Sequence, residues 1–374
     1  EKYTDVFPQW DEETGYPQIA IFGVEEGRSA VNNNGTQKAP DMVRKHLYDL
    51  YQGDYTVKIA DLGNIRAGAT VKDTYVAVKL VMEELMKKDI LPILIGGGQD
   101  LTYAQYTSYE NLEQRVDVAV IDSRFDLDQE NAEDMPLNSQ TYLNHLILHQ
   151  PDYLFNLSNI GFQTYLVSKE SINMYDKLFF NAMRLGSFSG KLDQAEPIIR
   201  SADMVSFDIG AIRASEACGN ANAGPNGLYG DEACQLSRYA GMSDKCSSFG
   251  IYEYNPTFDP MGQTGMLIAQ MIWCFIDGFY SRKKDAPMYP KSNYIIYRTT
   301  LEAEDYELVF DIIRFRLVFV KSKKSDRWWM QVPYFGSKSV NERFYLVPCR
   351  YEDYQMAVAG EMPDLWWKTH QKLQ

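Results

Sequence analysis

Short runs of apolar residues alternate along this chain with longer segments in which apolar residues recur at helical spacing. The short runs predict eight strands, at 18–24, 56–62, 90–95, 116–122, 156–162, 177–184, 203–208 and 247–254. The longer segments predict helices at 39–50, 71–87, 102–113, 139–148, 194–201, 225–240 and 262–280. Such alternation is typical of a parallel sheet covered by helices on both faces. We therefore predict an α/β, three-layer αβα fold with a mostly parallel eight-stranded sheet, formed by residues 1–284.

The pattern changes after residue 284. Strand-like runs at 294–299, 306–310 and 314–320 precede a segment that is rich in aromatic side chains. These are Trp328, Trp329, Tyr334, Phe344, Tyr345, Tyr351, Tyr354, Trp366 and Trp367. We predict that residues 285–374 form a small aromatic-rich, β-containing extension packed on the first domain. Because Trp and Tyr are common both in cores and in protein interfaces, an exposed surface that recruits a protein partner stays open as the alternative.

The chain is acidic, with 51 Asp and Glu against 37 Lys and Arg and a net charge of −14. This charge argues against binding to nucleic acid or to anionic lipid. No apolar run approaches the roughly 20 residues that a membrane helix needs, and no signal-peptide pattern opens the chain. We therefore expect a cytoplasmic protein. The five cysteines contain no Cys-x-x-Cys pair, which predicts reduced thiols.

Four polar motifs lie at or just after the carboxyl ends of predicted strands. They are 96–100 (Gly-Gly-Gly-Gln-Asp), 121–126 (Ile-Asp-Ser-Arg-Phe-Asp), 206–210 (Ser-Phe-Asp-Ile-Gly) and 253–256 (Glu-Tyr-Asn-Pro). Each motif alone is a weak signal, because glycine turns and spaced aspartates are common in polar loops. Sites in parallel α/β sheets lie beyond the carboxyl ends of the strands, so we expect the four motifs to converge there.

In this order the motifs resemble those of the arginase and formimidoylglutamase (ureohydrolase) family, which read Gly-Gly-x-His, Asp-Ala-His-x-Asp, Ser-Phe-Asp-x-Asp and Glu-x-Asn-Pro. The resemblance implies an arginase-like fold and six side chains that hold two manganese ions. The extension resembles that of bacterial formimidoylglutamase-like members. Carried over by position, the six ligand positions are Gln99, Asp122, Arg124, Asp126, Asp208 and Gly210.

Three of these positions depart from the family pattern. Gln99 and Arg124 stand where the family has histidine, and Gly210 stands where it has aspartate. A guanidinium has no lone pair to offer a metal ion. Since clustered carboxylates without a cation repel one another, we predict that Arg124 and Arg213 neutralise them through ion pairs.

These departures lead to a hypothesis of a non-catalytic, ureohydrolase-fold protein (a pseudoenzyme). It would have a degenerate metal site, no metal cofactor and no catalytic residues, and would act as a binding, scaffolding or regulatory subunit. It would assemble as a homo-oligomer or with a protein partner. The alternative is a metal-dependent hydrolase that uses manganese to cleave a C–N bond in a formimino or guanidino substrate. In a third, metal-free reading, Arg124 and Arg213 bind an anionic small molecule while Glu253, at the position of the family's substrate-facing glutamate, contacts a cationic group.

Overall fold

An eight-stranded parallel sheet forms the centre of the protein. The computed structural model describes residues 15–54, 56–112, 114–127, 135–287, 291–304, 312–333 and 344–374. The strands are β1 Ile19–Glu25, β2 Ile59–Arg66, β3 Leu91–Ile95, β4 Val116–Ile121, β5 Leu154–Phe162, β6 Asn181–Arg184, β7 Met204–Asp208 and β8 Ser248–Tyr252. They are ordered β2-β1-β3-β8-β7-β4-β5-β6, and every neighbouring pair is parallel. The predicted α/β fold class is confirmed.

Helices cover both faces of this sheet. They are α1 Ala39–Leu47, α2 Val71–Lys87, α3 Leu101–Thr107, α4 Tyr142–Ile147, α5 Lys169–Lys177, α6 Leu185–Phe188, α7 Glu196–Ser201, α8 Gly230–Met242 and α9 Gln263–Tyr280. Alternate strand residues face opposite layers. Ala119 and Ile121 of β4 belong to an apolar cluster that includes residues of α1, α7, α8 and α9, whereas Val118 and Val120 belong to one that includes residues of α3, α4 and α5. The result is the predicted three-layer arrangement.

The C-terminal segment adds a second, antiparallel sheet of four strands, ordered β12-β11-β10-β9. Its elements are β9 Tyr294–Glu304, β10 Ile312–Ser322, β11 Trp328–Gln331, β12 Leu346–Cys349, α10 Tyr351–Val358 and α11 Asp364–Leu373. The run at 306–310 and Tyr334 lie outside the described residues. Strands β11 and β12 and both helices were not predicted from the sequence.

Aromatic contacts join this extension to the central body. The rings of Phe155 in β5 and Phe344 stack with their centroids 3.8 Å apart. Nη2 of Arg200 in α7 donates to the carbonyl oxygens of Trp328 (3.2 Å) and Cys349 (3.3 Å). Trp328, Trp329, Phe344 and Trp366 are buried, so these aromatic side chains belong to a core. The prediction of a β-containing extension is confirmed, while the domain boundary at 284 and 285 stays a prediction.

Two further observations bear on the expectations from the sequence. No helix in the described part of the chain is both long and apolar enough to cross a membrane. All five cysteines are free thiols.

Candidate active site

Four neighbouring strands bring the predicted site residues together. Strands β3, β8, β7 and β4 lie side by side in the centre of the sheet. Gln99 follows β3, Glu253 follows β8, Asp208 ends β7, and Asp122 follows β4. Because the strands are parallel, all four side chains stand at the same edge of the sheet, as expected for this fold class.

Two of these strands end in turns that the aspartates themselves stabilise. Oδ1 of Asp122 accepts a hydrogen bond from the backbone N–H of Arg124 (2.9 Å). Oδ1 of Asp208 likewise accepts from the N–H of Gly210 (2.6 Å). Aspartate favours such turns because its carboxylate reaches the backbone two residues on. Asp126 has a positive φ of 45°, a left-handed conformation that is uncommon outside glycine but that aspartate tolerates. The local backbone therefore fixes the direction of each carboxylate.

Three carboxylates converge around the side-chain amide of Gln99. Asp122, Asp126 and Asp208 each offer an oxygen, and these oxygens lie within 4.8 Å of one another. When Nε2 of the Gln99 amide faces them, it lies 3.1 Å from Asp122 Oδ2, 3.2 Å from Asp126 Oδ2 and 3.0 Å from Asp208 Oδ2. In that orientation the Tyr142 hydroxyl donates to Oε1 of Gln99 at 3.0 Å.

The electrostatics of the cluster reflect its burial. Burial and the neighbouring Asp126 raise the pKa of Asp122 well above its ordinary value. Burial, Asp122 and Glu253 raise the pKa of Asp208 in the same way. The pKa of Asp126 rises to about 7, mainly through burial. The positive charge of Arg124 acts in the opposite direction on all three groups. Buried, mutually repelling carboxylates are a setting in which a cation is stabilised.

Glu253 is a fourth carboxylate that the protein holds rigidly beside this cluster. Its side chain is 3% exposed, and its backbone adopts a positive φ of 67°. Oε1 accepts from the backbone N–H of Gln99 (2.9 Å), and Oε2 accepts from Nδ2 of Asn33 (2.7 Å). Oδ1 of Asn33 in turn accepts from the backbone N–H of Ala221 (3.1 Å). Burial raises the pKa of Glu253, whereas Asn33, Gln99 and Ser139 lower it by hydrogen bonding.

The arginines do not form the predicted ion pairs with the carboxylates. The Arg124 side chain is exposed, and among the described residues no acidic group lies within ion-pair distance of it. The hydrogen bond of its backbone N–H to Asp122 turns the chain at this point. Nη2 of Arg213 donates to the carbonyl oxygen of Gly227 (3.0 Å), and its guanidinium lies 3.3 Å from the centre of the Tyr229 ring. The ion-pair prediction is therefore wrong.

Two adjoining cavities reach the cluster. The inner cavity has a volume of about 20 Å³ and is lined by Asp122, Ser123, Arg124, Asp126, Ser139, Gln140, Asp208, Gly210, Asn222 and Glu253. That volume holds about one water molecule. An outer cavity of about 480 Å³ shares Arg124, Asp126 and Gln140 with it. Arg213 lines neither cavity.

The three aspartates suit one divalent ion. Carboxylate oxygens are preferred ligands of Mg²⁺, Ca²⁺ and Mn²⁺, and three such oxygens converge here. A second ion finds fewer donors, because Arg124 offers no lone pair and Gly210 has no side chain. A Cβ at position 210 would lie 3.1 Å from Asp208 Oδ1 and 3.2 Å from Asn220 Nδ2, so a larger residue there would crowd its neighbours.

Comparison with known proteins agrees with the motifs and the sheet. The family model described as Arginase family matches residues 17–277, which is more than half of the chain. The chain belongs to the arginase family. This arginase-family protein is 25% identical over 269 residues to a formimidoylglutamase from Staphylococcus haemolyticus, covering 69% of this chain and 85% of the relative.

Solved structures share the fold of this arginase-family protein. Formiminoglutamase from Trypanosoma cruzi with Mn²⁺ superposes with a TM-score of 0.66 at 20% identity, covering 75% of this chain and 98% of that one. Formimidoylglutamase from Bacillus subtilis superposes with the same TM-score and identity, covering 73% and 90%.

These findings overturn the hypothesis of a pseudoenzyme with a degenerate site and no metal cofactor. The curated relatives are named formimidoylglutamase, and the Trypanosoma cruzi structure contains Mn²⁺. The physical reason is the convergence of Asp122, Asp126 and Asp208, which keep a donor set that the three substitutions seemed to destroy. The comparisons favour the alternative, a metal-dependent hydrolase.

Three contributors to the site were missed from the sequence. Asn33 lies in a polar loop that resembled an ordinary turn, yet its side chain is fully buried and holds Glu253. Ser139 and Tyr142 lie at the start of a predicted helix, where no pattern distinguishes them from packing residues. The run of three asparagines at 32–34 is a weak signal that could have pointed to the first of these residues.

Proposed function

We propose that this protein is a metal-dependent hydrolase that cleaves a C–N bond in a formimino or guanidino substrate. One observation carries the proposal: three aspartates and Glu253 from neighbouring strands converge at one small cavity. Membership of the arginase family and the formimidoylglutamases among its relatives support it. A formimino compound that also carries a carboxylate is the substrate class we favour.

Asp122, Asp126 and Asp208 would hold a divalent ion. When bound, the ion supplies Lewis-acid activation of water and of the substrate. Hydrolysis adds the oxygen of water to the amidine carbon, breaks the C–N bond and transfers a proton to the leaving nitrogen. The inner cavity has room for about one water molecule, so it restricts bulk water near the reacting atoms.

Glu253 and Arg124 would orient the substrate. Both oxygens of Glu253 are fixed by hydrogen bonds, and the side chain lines the inner cavity. A carboxylate so placed suits a cationic formimino or guanidino nitrogen. Arg124 is exposed and lines both cavities, so its guanidinium is available for a substrate carboxylate in the outer cavity. The outer volume lies within the range that small-molecule sites occupy.

The test combines metal content with turnover. Purified protein is analysed for metal before and after Mn²⁺ loading, and then assayed with formimidoylglutamate and with guanidino compounds. We expect Mn²⁺-dependent hydrolysis that a chelator abolishes and that Asp208→Asn removes. Asp326→Asn, a substitution at a largely exposed aspartate, serves as the control and should retain activity. If the Mn²⁺-loaded protein hydrolyses none of these compounds, the proposal is refuted.

The predictions of cytoplasmic location and of assembly as a homo-oligomer or with a protein partner accompany this proposal. Cell fractionation and sedimentation velocity would test them.

A further inference from the structure

The head of the Gln99 side chain occupies an unusual position. A single terminal atom of its amide lies 3.0 to 3.2 Å from one oxygen of each of three carboxylates, those of Asp122, Asp126 and Asp208. Gln99 is fully buried, and its backbone N–H also donates to Glu253. An amide nitrogen has two hydrogens, so it can satisfy at most two of the three carboxylates at once. The amide head therefore has more carboxylate neighbours than its hydrogen bonds can account for.

The distances match those between ligands of one metal ion. In octahedral coordination with metal–oxygen distances of about 2.1 to 2.3 Å, between those of Mg²⁺ and Ca²⁺, adjacent ligand atoms are about 3.0 to 3.3 Å apart. The amide head stands at this spacing from all three carboxylate oxygens. This is the spacing that a fourth ligand atom would have if the three aspartates shared one ion. Amide oxygens of Asn and Gln are ordinary ligands of hard divalent ions.

The amide can present either of its two ends at this position. Its oxygen and nitrogen are almost identical in size, so a half-turn about the Cγ–Cδ bond exchanges them within the same volume. With Nε2 toward the carboxylates, Oε1 accepts from the Tyr142 hydroxyl at 3.0 Å. After the half-turn, Nε2 faces Tyr142, and a phenol oxygen also accepts hydrogen bonds. The site thus offers a partner for both orientations.

We infer that Gln99 is a reversible ligand of a single divalent ion. Without the ion, Nε2 donates to the carboxylates and reduces their repulsion. When the ion binds, the amide turns and Oε1 joins Asp122, Asp126 and Asp208 as the fourth protein ligand. This inference rests on the proposed function for the presence of an ion. It gives Gln99 two roles, hydrogen-bond donor and metal ligand, and so differs from the role of the histidine that the family has at this position.

Four proteins test the inference: the natural chain, Gln99→Leu, Gln99→Glu and the matched control Gln105→Leu. Gln105 is also a fully buried glutamine, but it bonds to Ser248 and Tyr252, away from the carboxylates. Mn²⁺ affinity is measured by titration calorimetry on chelator-treated protein, and thermal stability is measured without metal. Both readouts are independent of turnover.

Each substitution has a distinct expected result. Gln99→Leu removes donor and ligand together, so it should weaken Mn²⁺ binding by about tenfold or more and lower the metal-free melting temperature. Gln99→Glu adds a charged ligand, so Mn²⁺ binding should tighten while the metal-free protein becomes less stable. Gln105→Leu should lower the melting temperature and leave the Mn²⁺ affinity unchanged. In crystals soaked with Mn²⁺, Oε1 of Gln99 should lie about 2.1 to 2.6 Å from the ion.

The outcomes separate this inference from the proposed function. If Gln99→Leu binds Mn²⁺ as tightly as the natural chain or more tightly, the amide obstructs the ion and the inference is overturned, even if hydrolysis is observed. If Mn²⁺ affinity depends on Gln99 but no substrate is hydrolysed, the inference stands and the proposed function fails. If the natural chain binds no Mn²⁺, both are overturned.

Discussion

Gly97 allows two backbone segments to approach each other closely at the site. A Cβ added there would lie 1.4 Å from the carbonyl oxygen of Glu26 and 2.5 Å from its carbon. An unstrained carbon–oxygen contact is about 3.3 Å, so Gly97→Ala must separate the two segments by about 2 Å. Glu26 cannot yield easily, because its buried carboxylate accepts hydrogen bonds from Arg28 (Nε, 2.9 Å) and Thr74 (2.8 Å).

The expected cost of Gly97→Ala follows from this overlap. Overpacking costs about 1 to 3 kcal/mol where side chains can adjust, and a backbone clash belongs at the upper end. Replacing glycine by alanine also reduces the conformational entropy of the unfolded chain. This stabilises the folded protein by about 0.4 to 1 kcal/mol and offsets only part of the cost of the clash. At about 2 °C per kcal/mol for a protein of this size, we expect the melting temperature to fall by at least about 4 °C.

The segment that moves also carries the site. The carbonyl oxygen of Gly97 accepts from the backbone N–H of Glu253 (2.8 Å), and Gln99 follows two residues later. Gly97→Ala should therefore weaken Mn²⁺ binding as well as stability. Gly186→Ala is the matched control, because a Cβ there meets nothing within 4 Å. If Gly97→Ala has the same melting temperature as Gly186→Ala and binds Mn²⁺ as tightly as the natural chain, the argument from close approach is refuted.

Three further substitutions test other parts of the structure. Burial lowers the pKa of Lys372 to about 7. From pH 7 to about 10 the unfolded chain therefore holds a proton that the folded chain has released. The free energy of unfolding should then rise with pH by up to about 1.4 kcal/mol per pH unit. Lys372→Met should flatten this slope in thermal melts; an unchanged slope would contradict the assignment. Arg124→Ser should raise KM for a carboxylate-bearing substrate by about tenfold without changing the melting temperature, and an unchanged KM would exclude the contact. Trp366→Ala should cost about 3 to 5 kcal/mol in unfolding free energy, because Trp366 is 1% exposed. Trp367 is 41% exposed and serves as the control. An equal loss of unfolding free energy in Trp367→Ala would argue against core packing of Trp366.

The sequence predicted best those elements whose signals are local. Helix α2 was predicted at 71–87 and observed with the same bounds, because Thr70 and Asp73 form a reciprocal cap at its start. Helix α5 was missed although Ser168 caps it, because only Ser171 and Tyr175 of its nine residues are buried and few of the nine are apolar. In the aromatic tail, α10 and α11 were missed because Trp and Tyr are frequent in strands and obscure a helical period.

At the site, the sequence could predict convergence but not orientation. The aspartates were placed correctly because their motifs end strands of a parallel sheet. The outward direction of Arg124 depends on the turn made by the Asp122 side chain, and the position of the Gln99 amide depends on three strand ends at once. Such features arise from tertiary geometry, which no local pattern encodes.

The position of β8 has a consequence for how the protein assembles. Within the described sheet, β1 to β3 form one group, β4 to β7 form another, and β8 lies between them. Gln99 belongs to the first group, the three aspartates belong to the second, and Glu253 follows the joining strand. Contacts between residues far apart in sequence form late, because long loops must close first. During synthesis the two halves can each begin to pair, but their union, and with it the pocket, must wait until β8 has left the ribosome.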